Sequence, residues 1–475
     1  MPDRPGQHPA PQRHAHRRRH AGRARGGHAV SDLHARRRRG GLCHVRGGSV
    51  PGRRSPDRPR GLPRNERERP RTDLGGCLRD RGHGRRCPEQ RARRRDLGGR
   101  PGARDRPGEF PFRERAVSAG VEARLDAAVP KVSVAIASFN YGRYLDACVR
   151  SALTQPGIDL EVVIVDDAST DDSADIALKL AREDSRVKVT VHEKNHGHIE
   201  TFNESLWLAT GEFVVKLDSD DMLTPGALRR GAAVLQALPH VGMVYGNPLT
   251  FENEVPPART SSTGTTVWEG TDWLRRRCVR ATNCIMQPEV MVRRTVLHRT
   301  DGHRAAVPAA HDLNLWLRIA AMSDVARIRG ADQGYYRVHS QSLLRTTFAG
   351  YLSDLQQRRA AFDDFYATCD ASTATRIDRD ALRLRTHRRL AIQAVQYAMR
   401  NYSHLGQVEL SSYLDFANEV WPAANTLPQW RGLERRERFV RAEGPLAAQH
   451  FFKYAEAIYG AQDSLRWRLW RRYGT

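Results

Sequence analysis

Phe213-Val214-Val215-Lys216-Leu217-Asp218-Ser219-Asp220-Asp221 is an apolar run that ends in three carboxylates, and Val162-Val163-Ile164-Val165-Asp166-Asp167 has the same form earlier in the chain. Short runs rich in β-branched and aromatic residues read as buried strands. Charge at the point where such a strand emerges costs several kcal/mol unless it is paired or metal-bound. In open α/β sheets, ligands bind in the crevice beyond those strand ends. A third acidic point, His311-Asp312, precedes a helical stretch over Leu313–Met322. Together the three predict a site for a nucleotide, a divalent metal and a base.

Around these points strands and helices alternate. Lys131–Ser138 alternates apolar residues and runs into the turn Ser138-Phe139-Asn140-Tyr141-Gly142. Arg143–Thr154 has helical spacing, Glu161–Val165 is a strand, and a helix begins near Asp172. Val187–Val191 is a third strand, followed by Asn195-His196-Gly197 and a helix around Phe202–Leu208. After the Asp218 strand come a helix past Pro225 and a strand at Val241–Tyr245. Residues 250–270 read as a polar loop, and 286–294 and 333–338 as further strands. This rhythm predicts a mostly parallel α/β sheet covered on both faces. From about Tyr351 the pattern is helical and Arg-rich, and we read residues 346–475 as a separate accessory region.

The first 115 residues are of another kind. They hold 33 Arg, no Lys and 12 acids, a net charge of +21, against +24 for the whole chain of 475 residues. They have no Ile, Tyr or Trp. Such a stretch cannot bury enough apolar surface to offset chain entropy, so disorder is expected. A basic tail for nucleic acid or anionic membrane is one reading. Translation of GC-rich sequence upstream of the true start is the other, and the one we expect, with a native start near Val117–Val132. No apolar run approaches the ~20 residues that span a bilayer. The seven Cys, among them Cys278, Cys284 and Cys369, show no metal-ligand spacing and read as free thiols.

In order and content the motifs resemble the family 2 glycosyltransferases of GT-A fold, over about residues 130–345. The matching pieces are Val132–Asn140, Val165–Asp171, Gly211-Glu212-Phe213 leading to Leu217–Asp221, Met291–Arg294, His311-Asp312 through Leu315–Arg318, and Tyr335–His339. The resemblance implies a nucleotide-sugar donor and an inverting transfer. It makes Asp167 the acid that accepts a uracil or thymine N3–H, since a carboxylate is an acceptor only. Phe139 packs on the base, and Asn140, Asn195 and Gly197 belong to the nucleotide and donor contacts. Asp220 is the expected metal ligand, with Asp218 nearer the ribose. Mg²⁺ or Mn²⁺ would offset charge on the departing diphosphate. His339 matches a position that reaches the metal, and Asp312 matches the catalytic base. Where the family has Glu before that Asp, this chain has His311.

Plainer readings stand beside these. Asp166 and Asp167 suit helix caps, and so does Asp312. Asp221 suits first-turn helix charge. Asn195–Gly197 suits a turn, His339 a structural histidine, and Trp316 and Arg318 packing with an internal ion pair. Gln462-Asp463-Ser464-Leu465-Arg466-Trp467 nearly spells the Gln-x-x-Arg-Trp signature of processive synthases, with one residue too many. A non-processive enzyme is therefore expected, acting on a glycan or glycolipid acceptor in bacterial surface-polysaccharide assembly. The Trp- and Arg-rich C-terminus suits peripheral contact with anionic lipid at the inner membrane face of the cytoplasm. Rival classes are an inactive GT-A scaffold, a nucleic-acid binder driven by the Arg-rich segment, and a nucleotidylyltransferase.

Overall fold

The structure, a computed structural model, describes residues 114–117, 129–342, 348–402 and 404–473. Among them ten strands form one mixed sheet. These are β1 (Glu114–Val117), β2 (Lys131–Ser138), β3 (Asp159–Asp166), β4 (Val187–Val191), β5 (Phe213–Asp218), β6 (Met222–Leu223), β7 (Val241–Phe251), β8 (Gly264–Trp268), β9 (Met291–Arg293) and β10 (Asp324–Arg337). Their order is β1-β8-β10-β7-β9-β5-β2-β3-β4, with β6 paired to β10.

The parallel part carries the site. β2 lies between β3 and β5, both parallel to it, with Ser138 level with Asp166 and Ala137 with Asp218. The chain leaves β2 toward β3 and β4, then returns to the other side of β2 as β5. Strand order reverses there, so loops on either side diverge and open a crevice beyond the carboxyl ends. Asp166, Asp167 and Asp218 stand at its rim because all three strands end together.

Alternation along the strands sends side chains to two cores. Val132, Val134 and Ile136 meet Phe213, Val215 and Leu217 on one face, under helices α1 (Gly142–Leu153), α2 (Ser173–Glu183) and α4 (Ala227–Ala237). On α1 the buried Leu145, Cys148, Val149 and Ala152 fall on one stripe of a 3.6-residue period. Ala135 and Val214 point the other way, toward α3 (His198–Leu208), α5 (Gly270–Arg280) and α7 (His311–Met322). A four-residue helix, α6 (Arg294–Leu297), lies between α5 and α7 in sequence.

That second core does not stop at the expected domain edge. Beyond α7 and β10 come α8 (Tyr351–Thr368), α9 (Ala371–Ile377), α10 (Arg379–Arg400), α11 (Gln407–Val420), α12 (Pro428–Glu443) and α13 (Pro445–Tyr473). Leu355, Phe362, Phe365, Leu390 and Ala394 lie in one hydrophobic cluster with Cys278, Leu313 and Trp316. Burying a Leu or Phe is worth about 1.5–3 kcal/mol each. Helices α8 to α11 thus contribute to the core on this face of the sheet.

Other readings shift as well. Residues 250–270 are not wholly loop, because β7 runs to Phe251 and β8 occupies Gly264–Trp268 between β1 and β10. Gln287–Glu289 form a 3-10 turn, and only Met291–Arg293 of the expected 286–294 strand pair in the sheet. The strand expected at 333–338 begins at Asp324. Glu114 and Arg115, within the segment expected to be disordered, belong to β1 and pair with Trp268 and Val267. The rest of 1–113 lies outside the described residues, as do the side chains of 466–473, and with them the nucleic-acid and lipid readings. No helix among the described residues is long and apolar enough to cross a membrane.

Candidate active site

The turn after β3 is locked from within. Asp166 accepts the Ser169 N–H at 2.9 Å and its hydroxyl at 2.7 Å, so this carboxylate holds its own turn and not the start of α2. Ala168 takes φ 59 and Asn140 takes φ 60. Asn140 Oδ1 accepts the Thr170 N–H at 2.8 Å, clasping the turn after β2 to the turn after β3. Asn140 is thereby a brace for the crevice wall. Phe139 beside it is 43 % exposed, an aromatic face left at the rim.

Asp167 is buried and fully occupied. Its Oδ1 accepts from His196 N at 2.7 Å and faces His192 Nδ1 at 2.9 Å, while Oδ2 accepts from Gly197 N at 2.9 Å. Burial alone would raise its pKa, but the His196 N–H, His192 and the Gly197 N–H outweigh it and hold the carboxyl below the ordinary range. Asn195 Nδ2 donates to the Asp167 carbonyl at 3.1 Å. Gly197 has φ 91, and an added Cβ would meet nothing within 4 Å; the backbone angle, not crowding, calls for glycine. Asn195, Gly197 and Asp167 thus form one loop-shaping unit. His192 Nε2 is 2.8 Å from Glu204, which ties α3 into it.

Across the crevice, Asp218 accepts from Lys216 Nζ at 2.7 Å, and that ammonium sits 3.6 Å from the Phe202 ring centroid. Asp220 Oδ2 lies 2.9 Å from His339 Nε2. Burial, and then the Asp218 charge, push the Asp220 pKa up. Asp221 is buried: Oδ1 accepts the Arg337 N–H at 2.8 Å, while Oδ2 has no hydrogen-bond partner among the described residues. Its pKa is pushed well up by burial, then by Asp220 and Asp218. Three carboxylates this close repel one another. Asp220 and the His339 imidazole are a pair that could hold a divalent cation, with the Asp218 charge acting on Asp220, while the three-ligand cluster that the described residues bring together is His192, His196 and Glu204. Asp221 turns inward to fasten β10 and is not placed as a ligand.

Asp312 opens α7. Its Oδ1 accepts the Leu313 N–H at 2.6 Å, and its Oδ2 accepts from Asn283 Nδ2 at 2.8 Å. Burial pushes its pKa up to about 6 and Asp218 adds to this, against Leu313 N–H, Lys216 and Asn283. So Asp312 feels Asp218, and Lys216 stands near both. His311 does not touch Asp312 through its ring: its Nδ1 is 2.9 Å from His303 Nδ1. Burial first, then mutual repulsion with His303, keeps its pKa well below the ordinary value. Trp316 and Arg318 are buried as expected. Arg318, however, spans the Thr300 and Gly302 carbonyls and Asn314 Oδ1 in place of the expected ion pair.

Two positions escaped sequence reasoning. Tyr336 has its pKa raised by burial and then by Asp221, Asp218, Asp220 and Asp312, so the charges of all four act on it. Asn283, which orients Asp312, sits in a stretch with no periodic signal. Its only trace was proximity in sequence to the buried α5.

Residues 133–298 match glycosyl transferase family 2. The chain is similar to an uncharacterized glycosyltransferase of Nostoc sp., 37 % identical over 128 residues, covering 26 % of this chain and 40 % of that one. It is also similar to the hyaluronan synthase of Pasteurella multocida, 29 % identical over 193 residues, covering 40 % of this chain and 19 % of that one. The chain thus spans well under two thirds of the length of either relative. Among solved structures, S. aureus TarS in complex with UDP-GlcNAc is 18 % identical with a TM-score of 0.47, covering 69 % of this chain and 92 % of that one.

Proposed function

We propose that this chain is an inverting, metal-dependent, non-processive glycosyltransferase. It moves one sugar from a UDP- or dTDP-linked donor to a hydroxyl of a glycan or glycolipid acceptor in bacterial surface-polysaccharide assembly. It would work in the cytoplasm or at the inner face of the plasma membrane. One observation carries the reading: Asp312 is held by two hydrogen bonds, burial pushes its pKa up to about 6, and the Asp218 charge acts on it. A general base works best when its pKa lies close to the working pH.

Asp312 takes the proton of the acceptor hydroxyl as that oxygen forms its bond to the anomeric carbon. The bond from that carbon to the diphosphate oxygen breaks, and its electron pair leaves with the diphosphate. Attack from the face opposite the leaving group inverts the centre. Asp220 and His339, with Asp218, would hold Mg²⁺ or Mn²⁺, which when bound offsets charge on the diphosphate. Asn283 keeps one Asp312 lone pair fixed. Lys216 holds Asp218 in place beside the base.

Phe139 offers its exposed face to the base. Asp167 is kept as the base-reading acid, with its Oδ2, which accepts the Gly197 N–H, as the oxygen that would take the N3–H. The test is release of nucleoside diphosphate from a panel of UDP- and dTDP-sugars in the presence of bacterial glycan acceptors. Asp312→Asn should abolish acceptor-dependent release. Unchanged release would remove Asp312 as the base.

A further inference from the structure

Beside Asp167 the fold gathers two imidazoles and a carboxylate. His192 follows β4, His196 stands in the next loop, and Glu204 lies on α3. One ligand atom from each falls within 4.8 Å of the other two. The His192 and His196 rings stack with their centroids 4.3 Å apart. The His192 side chain is nearly buried, Glu204 is half-buried and His196 is exposed, so the set is anchored at one member and reachable from water at the others.

His192 is already oriented as a ligand. Its Nδ1 lies 2.9 Å from Asp167 Oδ1, and its Nε2 lies 2.8 Å from Glu204 Oε2. A metal-bound histidine gives its second ring N–H to a carboxylate in this way, which fixes the tautomer and aims the other lone pair. With the Nδ1 proton held by Asp167, a cation between Nε2 and Glu204 replaces the proton those two atoms share, and that proton goes to water. His196 is tethered to the same acid through its backbone N–H, 2.7 Å from Asp167 Oδ1. One carboxylate thus places both histidines. Zinc bonds to nitrogen and oxygen run about 2.0–2.2 Å, and rotation of the exposed His196 ring closes the remaining spread. Two imidazoles and one carboxylate suit Zn²⁺ and its first-row neighbours, whereas Mg²⁺ prefers oxygen throughout.

We infer that His192, His196 and Glu204 bind a Zn²⁺-class cation, in a site that shares no ligand with the Asp220–His339 pair. The ion fastens the loop after β4 to α3, and with it the Asn195–Gly197 segment around Asp167. The inference stands on these residues and does not depend on the glycosyl-transfer reading.

Zn²⁺ added to the full chain is the probe, and modification of His196 by diethyl pyrocarbonate is the readout, followed by mass spectrometry of the peptide that carries it. Coordination occupies the imidazole lone pair that the reagent attacks. The rate at His196 should therefore fall about tenfold when free Zn²⁺ is about ten times its Kd, because only the unoccupied fraction reacts. Loss of an outer-shell partner alone weakens metal binding about 10–100-fold, so Glu204→Ala, which removes a ligand, should require at least about tenfold more Zn²⁺ for the same protection. Mg²⁺ at equal concentration should not protect the unmodified chain, which tests the ligand class without any substitution. Asp220→Ala should keep the protection. Amide exchange across residues 193–203 should slow when Zn²⁺ is added. Equal modification with and without Zn²⁺, equal protection by Mg²⁺, or protection unchanged in Glu204→Ala overturns the site. Protection lost in Asp220→Ala assigns the ion to the donor pair and overturns it too, and unchanged amide exchange overturns the fastening role.

Discussion

Asn283 Nδ2 donates to Asp312 Oδ2 at 2.8 Å, joining the loop after α5 to the first turn of α7. This bond favours the charged carboxylate and leaves a defined direction for proton transfer. Removing it should both misplace Asp312 and raise its pKa. Asn283→Ala is expected to lower kcat about tenfold, on the scale of a hydrogen bond to a charged group. A merely structural role would not move the acid limb of the pH–rate profile. Here that limb should shift upward.

The pH profile of the unmodified chain follows from the same group. Asp312 acts only when deprotonated, and burial has pushed its pKa up to about 6. Activity should therefore be level above about pH 7 and fall as pH drops through 6, losing tenfold per unit below. An activity that stays flat down to pH 5 would assign the base elsewhere. Asp312→Asn should lose about 10²–10⁴-fold in turnover, the usual worth of a general base, with UDP binding retained.

Glu161 tests the framework rather than the chemistry. Although buried in β3, it accepts Ser133 Oγ and Thr210 N–H and pairs with Lys188. Burial alone would raise its pKa, but Lys188, Ser133 and Thr210 outweigh it and hold it at about 2. A depressed carboxylate contributes stability that is complete above its unfolded pKa, about 4.3, and is lost as pH falls through about 2. Glu161→Gln should cost about 1.5–3 kcal/mol at pH 7. Calorimetric melting of both proteins should show that gap closing between pH 4 and pH 2.

Gly270 marks how closely α5 approaches the end of α7. A Cβ there would lie 2.0 Å from the Ser323 carbonyl oxygen and 2.2 Å from that of Ala320. Neither atom can swing aside, since both are backbone. Gly270→Ala should destabilise by about 1–3 kcal/mol, read as a lowered melting temperature. A neutral effect would mean that the helices are not packed as described.

The sheet was legible where strand chemistry is local. β2 to β5 are short and rich in β-branched residues, β3 and β5 end at carboxylates, and the spacing placed each within a few residues. β8 was missed because Thr265 and Thr266 sit in a Thr- and Pro-rich stretch whose polarity hid their β-branched character. β10 was cut short because its interior buries Arg327, Asp332 and Gln333, so alternation of apolar and polar residues fails along it. In the site, Asp218, Asp220 and Asp312 declared themselves as strand-end or helix-start acids. Asn283 and Tyr336 did not, since a positioning amide and a buried hydroxyl are defined by what folds against them. Asp167 stood out through the resemblance, while its hydrogen bonds to His192, His196 and Gly197 became visible only in the fold.

The donor site is the centre of the account, and calorimetric titration of UDP into the full chain tests it most directly. We expect tight binding with Mn²⁺, little without it, and loss in Asp220→Ala. Binding that is indifferent to both the metal and Asp220, or no binding to the folded chain, would contradict the account.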